Sequence, residues 1–214
     1  MNYLVLKRLV CGFVVGGLFG FALAARAQEI APDALAKKVT EEVLTILRSD
    51  KEIQSGNTRK VYDLVEAKVL PNFNFTHMTQ LAVGAPWRQA SAAQQQSLTN
   101  EFRSLLVHTY ASAFTQYRDQ VIEYRPLKMQ PADSDVTVQS RIKQSGGQDP
   151  IEVNYRMEKL DQGWKVYDVI IAGVSLVQNY RSTFNTEVQK SGIDGLIASL
   201  ATKNKTLAQQ TAKK

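Results

Sequence analysis

Chemistry requires acids, bases, nucleophiles or metal ligands at workable spacing, and this chain offers few. His77 and His108 fall on different predicted helices and in no metal-binding spacing such as H-x-x-x-H. Both read as satisfied or exposed side chains. Gly173-Val174-Ser175 places a serine after a glycine but lacks the second glycine of a nucleophile elbow. There is no glycine-rich phosphate loop, since Gly146-Gly147 sits in a predicted hairpin. The strongest candidate is Asp168, a lone acid on a mostly apolar strand, where burial would raise its pKa. It could act as a general base in an apolar pocket. The ordinary alternative is a buried partner for Arg181 or for backbone amides.

The stretch that must position Asp168 runs from Trp164 to Phe184. Its first part alternates with period two, which puts Trp164, Val166 and Ile170 on one face and Tyr167, Val169 and Ile171 on the other. Both faces are apolar, so the strand is expected to be buried on both sides. Gly173 breaks it, and Ser175 can cap a helix starting just after it. Leu176, Tyr180 and Phe184 recur every four residues, one stripe of such an amphipathic helix.

Upstream, Pro32 opens a predicted helix to about Ser49, with Leu35, Val39, Val43, Leu44, Ile46 and Leu47 as its apolar face. A second helix is predicted over Thr58–Val69, ended by Pro71. In V-L-P-N-F-N-F-T-H-M-T, Phe73, Phe75 and Met78 staple a short helix that reaches about Val83, with Gly84 at its C′ position. Ser91 and Gln94 form a capping box for what should be the longest helix, Ala92 to about Arg118. The period then changes to two. Strands are predicted over Val121–Met129, Val136–Ile142 and Ile151–Met157, with Asp161-Gln162-Gly163 turning the chain into the Trp164 strand. The strands at Val136 and Ile151 each have one polar face for water and one apolar face for a core. Gly192 to Leu200 reads as a short helix, and the residues from Lys203 as a frayed tail. The expectation is an α+β fold in which a curved antiparallel sheet of about four strands packs on a helical layer.

The chain has 214 residues, a net charge of +6 and one cysteine. Residues 1–27 read as a cleaved signal peptide: Lys7 and Arg8, then the apolar run Val10–Leu23, then Ala25-Arg26-Ala27. Its loss would remove three positive charges and no acid, leaving about +3, too mild to point to nucleic acid. It would also remove Cys11, and with it any disulfide or thiolate metal site. Residues 28–205 then form one domain and 206–214 a flexible tail. No metal and no cofactor is expected.

Several uncommon words occur in order. They are W-K-V-Y-D-V-I-I-A-G-V-S-L-V-Q-N-Y-R-S-T-F from Trp164, G-x-x-W-R at Gly84–Arg88, F-R-S-L-L-V-H-T-Y at Phe102–Tyr110 and I-x-V-x-Y-R at Ile151–Arg156. Through them, over roughly residues 30 to 205, the chain resembles the MlaC family, once called toluene-tolerance proteins, periplasmic phospholipid carriers of Gram-negative bacteria. The resemblance implies an NTF2-like or cystatin-like sheet closed by helices around an apolar cavity for acyl chains. It implies a glycerophospholipid ligand carried between the outer and inner membranes, which maintains outer-membrane lipid asymmetry. It also implies two docking partners, an outer-membrane lipoprotein–porin complex and an inner-membrane MCE-domain ABC transporter. The protein would be a monomer and not an enzyme. One departure is Ala172, where family members often carry Glu.

With that cavity in view, the lipid-binding candidates are Val83, Trp87, Phe102, Leu106, Tyr110, Phe114, Val138, Val153, Tyr155, Val166, Val169, Val174, Leu176 and Tyr180. Each is equally compatible with a filled core, because such stripes usually pack on one another. Trp87 and Tyr180 suit the mouth, as amphipathic rings do at interfaces. Arg88, Arg156 and Arg181 could approach a phosphate head group. Two readings compete with a phospholipid carrier: an enzyme using Asp168, and a binder of another hydrophobic molecule such as a solvent, a quinone or a fatty acid.

Overall fold

The computed structural model describes residues 30–212 apart from 116, 118, 119, 145 and 147. The expected signal peptide and its cleavage site, together with Gly147, lie outside the described residues.

Local signals set most element boundaries. Helix α1 spans Pro32–Ser49 with proline in its first turn. Asp50 accepts from the amides of Glu52 and Ile53 and starts the single turn α2, Lys51–Gln54. Asn57 caps α3, Thr58–Leu64, through the Lys60 amide. The expected continuation to Val69 is present, but Val65–Val69 is a π-turn. The wider turn swings Leu70 onto the side already occupied by Val65 and Val69. Asn74 caps α4, Phe75–Val83, which ends at Gly84 with φ 71°. The Ser91–Gln94 capping box opens α5, Ala92–Tyr110, with both reciprocal bonds formed. This helix stops short of the expected Arg118, and one further turn, α6 at Ser112–Thr115, comes after it.

Strands β1 (Val121–Tyr124), β2 (Asp135–Lys143), β3 (Ile151–Leu160), β4 (Gly163–Ile171) and β5 (Val174–Ser175) form one antiparallel sheet in sequence order. The first strand ends before the expected Met129 because Pro126 has no N–H for the ladder. Helix α7 runs from Leu176 to Ala212 with a kink at Gly192, φ 72°. The expected frayed tail from Lys203 is helical through Ala212, with Asn204 buried and bonded to the backbone and carboxylate of Glu101.

The expected facing of β4 is corrected by a β-bulge. Met157 pairs with Val166 and Arg156 with Asp168, so Tyr167 is an extra residue that shifts the alternation by one. Val166, Val169 and Ile171 therefore share the inner face with Trp164, while Tyr167 turns to the helices.

Apolar side chains gather in three clusters. One joins α4, α5 and α7 around Phe102, Met78 and Phe184. Phe102 meets Tyr180 and Phe184 edge-on at 5.2 Å each. A second joins α1, α3 and α5 around Val43, Val61 and Val107. The third is the inner face of the sheet, centred on Val138, Met157 and Val166.

Candidate functional site

Between the second and third clusters lies a hollow of about 540 Å³, within the ordinary range for ligand pockets. Each wall derives from an element already described. Helix α1 lays the stripe Leu35, Val39, Val43 and Leu47 along one side. The π-turn adds Val65 and Val69, and Leu70 follows directly after it. Helices α5 and α6 contribute Leu106, Tyr110 and Phe114 at one four-residue spacing that crosses the break between them. The sheet supplies Ile142 from β2, Val153, Tyr155 and Met157 from β3, and Val166, Val169 and Ile171 from β4. Phe73, Phe75 and Met78 complete the lining. Among the described residues, no Asp, Glu, Lys or Arg belongs to this lining. Its polar groups are neutral: Thr40, Asn72, Gln120, Gln144 and tyrosine hydroxyls.

The Tyr124 hydroxyl fastens α1 to β1. Tyr124 Oη donates to the Ala36 carbonyl at 3.2 Å and lies 2.6 Å from Thr40 Oγ1. Ser140 Oγ donates to the Val153 carbonyl at 2.6 Å. Tyr155 is enclosed, and the surface it retains faces the hollow. Burial pushes its phenol well above the usual value, and neighbouring Tyr124 adds to the shift. Burial likewise raises Tyr124, against a bond from Thr40, and raises Tyr110, helped by Tyr180. These groups stay neutral, which suits an apolar surround.

Of the candidates from the sequence, Leu106, Tyr110, Phe114, Val153, Tyr155, Val166, Val169 and Leu176 come together on this lining. The others do not reach it. Val83, Trp87, Phe102 and Tyr180 belong to the core between α4, α5 and α7, and Trp87 is buried there rather than at a mouth. Val138 is fully buried in the sheet beside its register partner Tyr155. Val174 is 55% exposed at the start of β5. Arg88 and Arg181 are exposed, and Arg156 places its guanidinium 4.8 Å from the centre of the Tyr167 ring, among groups that turn away from the hollow. Sequence reasoning misses the α1 stripe and the Phe73–Phe75 end as lining. Both are legible as inward-facing, but periodicity does not distinguish a side chain that meets another from one that meets space.

Asp168 is 3% exposed and is not part of the lining. Its carboxylate accepts from Ser175 Oγ at 2.7 Å and from the Val177 amide at 3.2 Å. Ser175 Oγ in turn accepts from the Gln178 amide at 3.0 Å. The acid thus anchors the first turn of α7, where orphan amides and the helix dipole favour a negative charge. Of its two alternatives, partner to backbone amides is the one realised. Among the described residues no group of three or more His, Cys, Asp or Glu side chains is arranged to hold a metal.

The fold and the hollow define an α+β protein in which a curved antiparallel sheet and a helical layer enclose an apolar cavity. A family model described as MlaC protein matches residues 37–202, and the chain belongs to the MlaC family. The intermembrane phospholipid transport system binding protein MlaC of Haemophilus influenzae is 24% identical over 174 residues, 80% of this chain and 81% of its own length. The toluene tolerance protein ttg2D of Pseudomonas putida is 26% identical over 165 residues, covering 76% and 75%. A phospholipid-binding protein from Ralstonia solanacearum, solved in complex with a phospholipid at 1.53 Å, superposes with a TM-score of 0.76. That pair is 37% identical, over 82% of this chain and 98% of that one.

Proposed function

We propose that this protein is a soluble periplasmic carrier that holds the acyl chains of a glycerophospholipid in the hollow. It shuttles lipid between the outer and inner membranes and so maintains outer-membrane lipid asymmetry. The observation that carries the reading is a lining without a charged side chain among the described residues, set between a sheet and helices that could otherwise have met. A lipid in water exposes its tails at about 0.8 kcal/mol per CH₂, so two tails cost on the order of tens of kcal/mol. An apolar hollow recovers that free energy with no catalytic group. The names of the relatives and the phospholipid in the Ralstonia solanacearum structure support the ligand class. Docking to a lipoprotein–porin complex at one membrane and to an MCE-domain ABC transporter at the other rests on the family alone. Any energy for transfer would come from that transporter. No helix among the described residues is long and apolar enough to cross a membrane.

The test is organic extraction of protein purified without added lipid, with mass spectrometry of the extract. Stoichiometric phospholipid is the expected result. An extract free of lipid, or one dominated by a quinone, a fatty acid or a solvent, would overturn the reading.

A further inference from the structure

The hollow has two unlike ends. Along β3 the lining runs through Ile151 and Tyr155, which are half-buried, and Val153 to Met157, which is 1% exposed. Along β4 it passes from half-buried Ile171 through Val169 to Val166 at 5%. The lining side chains at the Ile151 and Ile171 ends are thus half-buried, and Met157 and Val166 at the other ends are almost wholly buried. The F-N-F segment lies at the buried end, its two phenylalanines themselves half-buried. Phe73 and Phe75 stack with centroids 5.7 Å apart and planes 18° apart. Phe73 packs on both the sheet cluster and the α4–α5–α7 core, and Phe75 on that core and the α1–α3 cluster. The pair sits where all three clusters meet.

This end is also pinned. The Asn74 amide donates to the Val166 carbonyl at 2.8 Å, and Lys165 Nζ donates to the Pro71 carbonyl at 2.7 Å. Glu158 Oε1 accepts from Asn74 Nδ2 at 2.8 Å, and His77 Nδ1 lies 2.8 Å from the same oxygen. A β-ladder contact between Phe73 and Val166 completes the attachment. Polar groups thus fasten the floor to β3 and β4. A floor held this way keeps one depth, because well-packed side chains with fixed partners do not yield by a methylene without cost.

We propose that Phe73, Phe75, Met78, Met157 and Val166 form a ruler that sets the acyl-chain length this protein accepts. The proposal rests on the carrier reading and adds the specificity-determining residues. An apolar pocket discriminates one methylene by roughly tenfold or more, so changing the depth should change which chains are retained. The experiment uses the full chain, expressed without added lipid, and compares the acyl profile of extracted phospholipid with that of the host membrane. Met157→Ala deepens the floor and should raise the ratio of long to short chains about tenfold over the unsubstituted protein. Val166→Phe raises the floor and should move the ratio the other way. Val121→Ala, on a β1 side chain that is 55% exposed and outside the lining, should leave it unchanged. Far-UV circular dichroism reports whether each variant folds, and Val166→Phe, which adds volume rather than removing it, keeps the test open if Met157→Ala does not fold. If the unsubstituted protein yields no phospholipid, the carrier reading fails. If it yields phospholipid but the floor variants and Val121→Ala share one chain profile, the ruler is wrong and the carrier reading stands.

Discussion

Leu176 opens α7 and projects into the hollow, directly after the two residues of β5. A charge there would have no partner, because the described lining offers only neutral groups. Leu176→Glu should therefore fold, since the side chain is only half-buried, and yet retain at least about tenfold less lipid after purification. Quantifying extracted phospholipid per protein checks this, and unchanged retention in a folded variant would remove Leu176 from the site. Sequence spacing does not deliver this assignment. Phe102 and Leu106 lie one helical turn apart on α5, yet Phe102 is sealed among Tyr180 and Phe184 while Leu106 borders both that core and the hollow. Their types and their period are alike. What separates them is the distance to the next element, which only the assembled fold contains.

Among the elements, the two-residue turn between β4 and β5 carries a visible cost. Ala172 has φ 49° and Gly173 φ 82°, the double positive φ of a tight hairpin. Glycine accepts this conformation freely and alanine does not. Ala172→Asn, a residue tolerant of that region, should raise unfolding stability by about 1 kcal/mol, read from the denaturant midpoint at unchanged slope. No change would mean that the strain is relieved elsewhere. Elements whose signals are local are legible in the sequence. Ser91 and Gln94 announce the start of α5, Pro32 that of α1, and alternation marks β2 and β3. Elements decided by their neighbours are not. Strict alternation misassigns Tyr167, Val169 and Ile171 to one face because the bulge at Tyr167 is written in the pairing with β3 rather than in β4 itself. The π-turn at Val65–Val69 likewise reads as ordinary helix, since the same apolar spacing serves both.

For the molecule as a whole, buried phenols tie the fold to pH on the alkaline side. Tyr155 and Tyr124 are raised above the ordinary value of 10.0 by burial, and Tyr167 is pushed up to about 12 by burial and by its bond to Asp135. A raised phenol favours the neutral form in the folded state. Its contribution is complete below the unfolded value near 10 and is lost as pH rises through the folded values. Unfolding stability should therefore fall from about pH 10 to about pH 12, and Tyr155→Phe should flatten that fall. A Tyr155→Phe variant with the same alkaline profile would show that this phenol is not a source of the loss. The division of the apolar interior into three clusters has a mechanical consequence. Unfolding collapses internal space, and hydrostatic pressure drives a chain toward whichever state has the smaller volume. Stripped of its guest, a protein built around 540 Å³ of hollow is thus the more compressible and the more pressure-sensitive form, and a seated ligand acts on it as a keystone does on an arch.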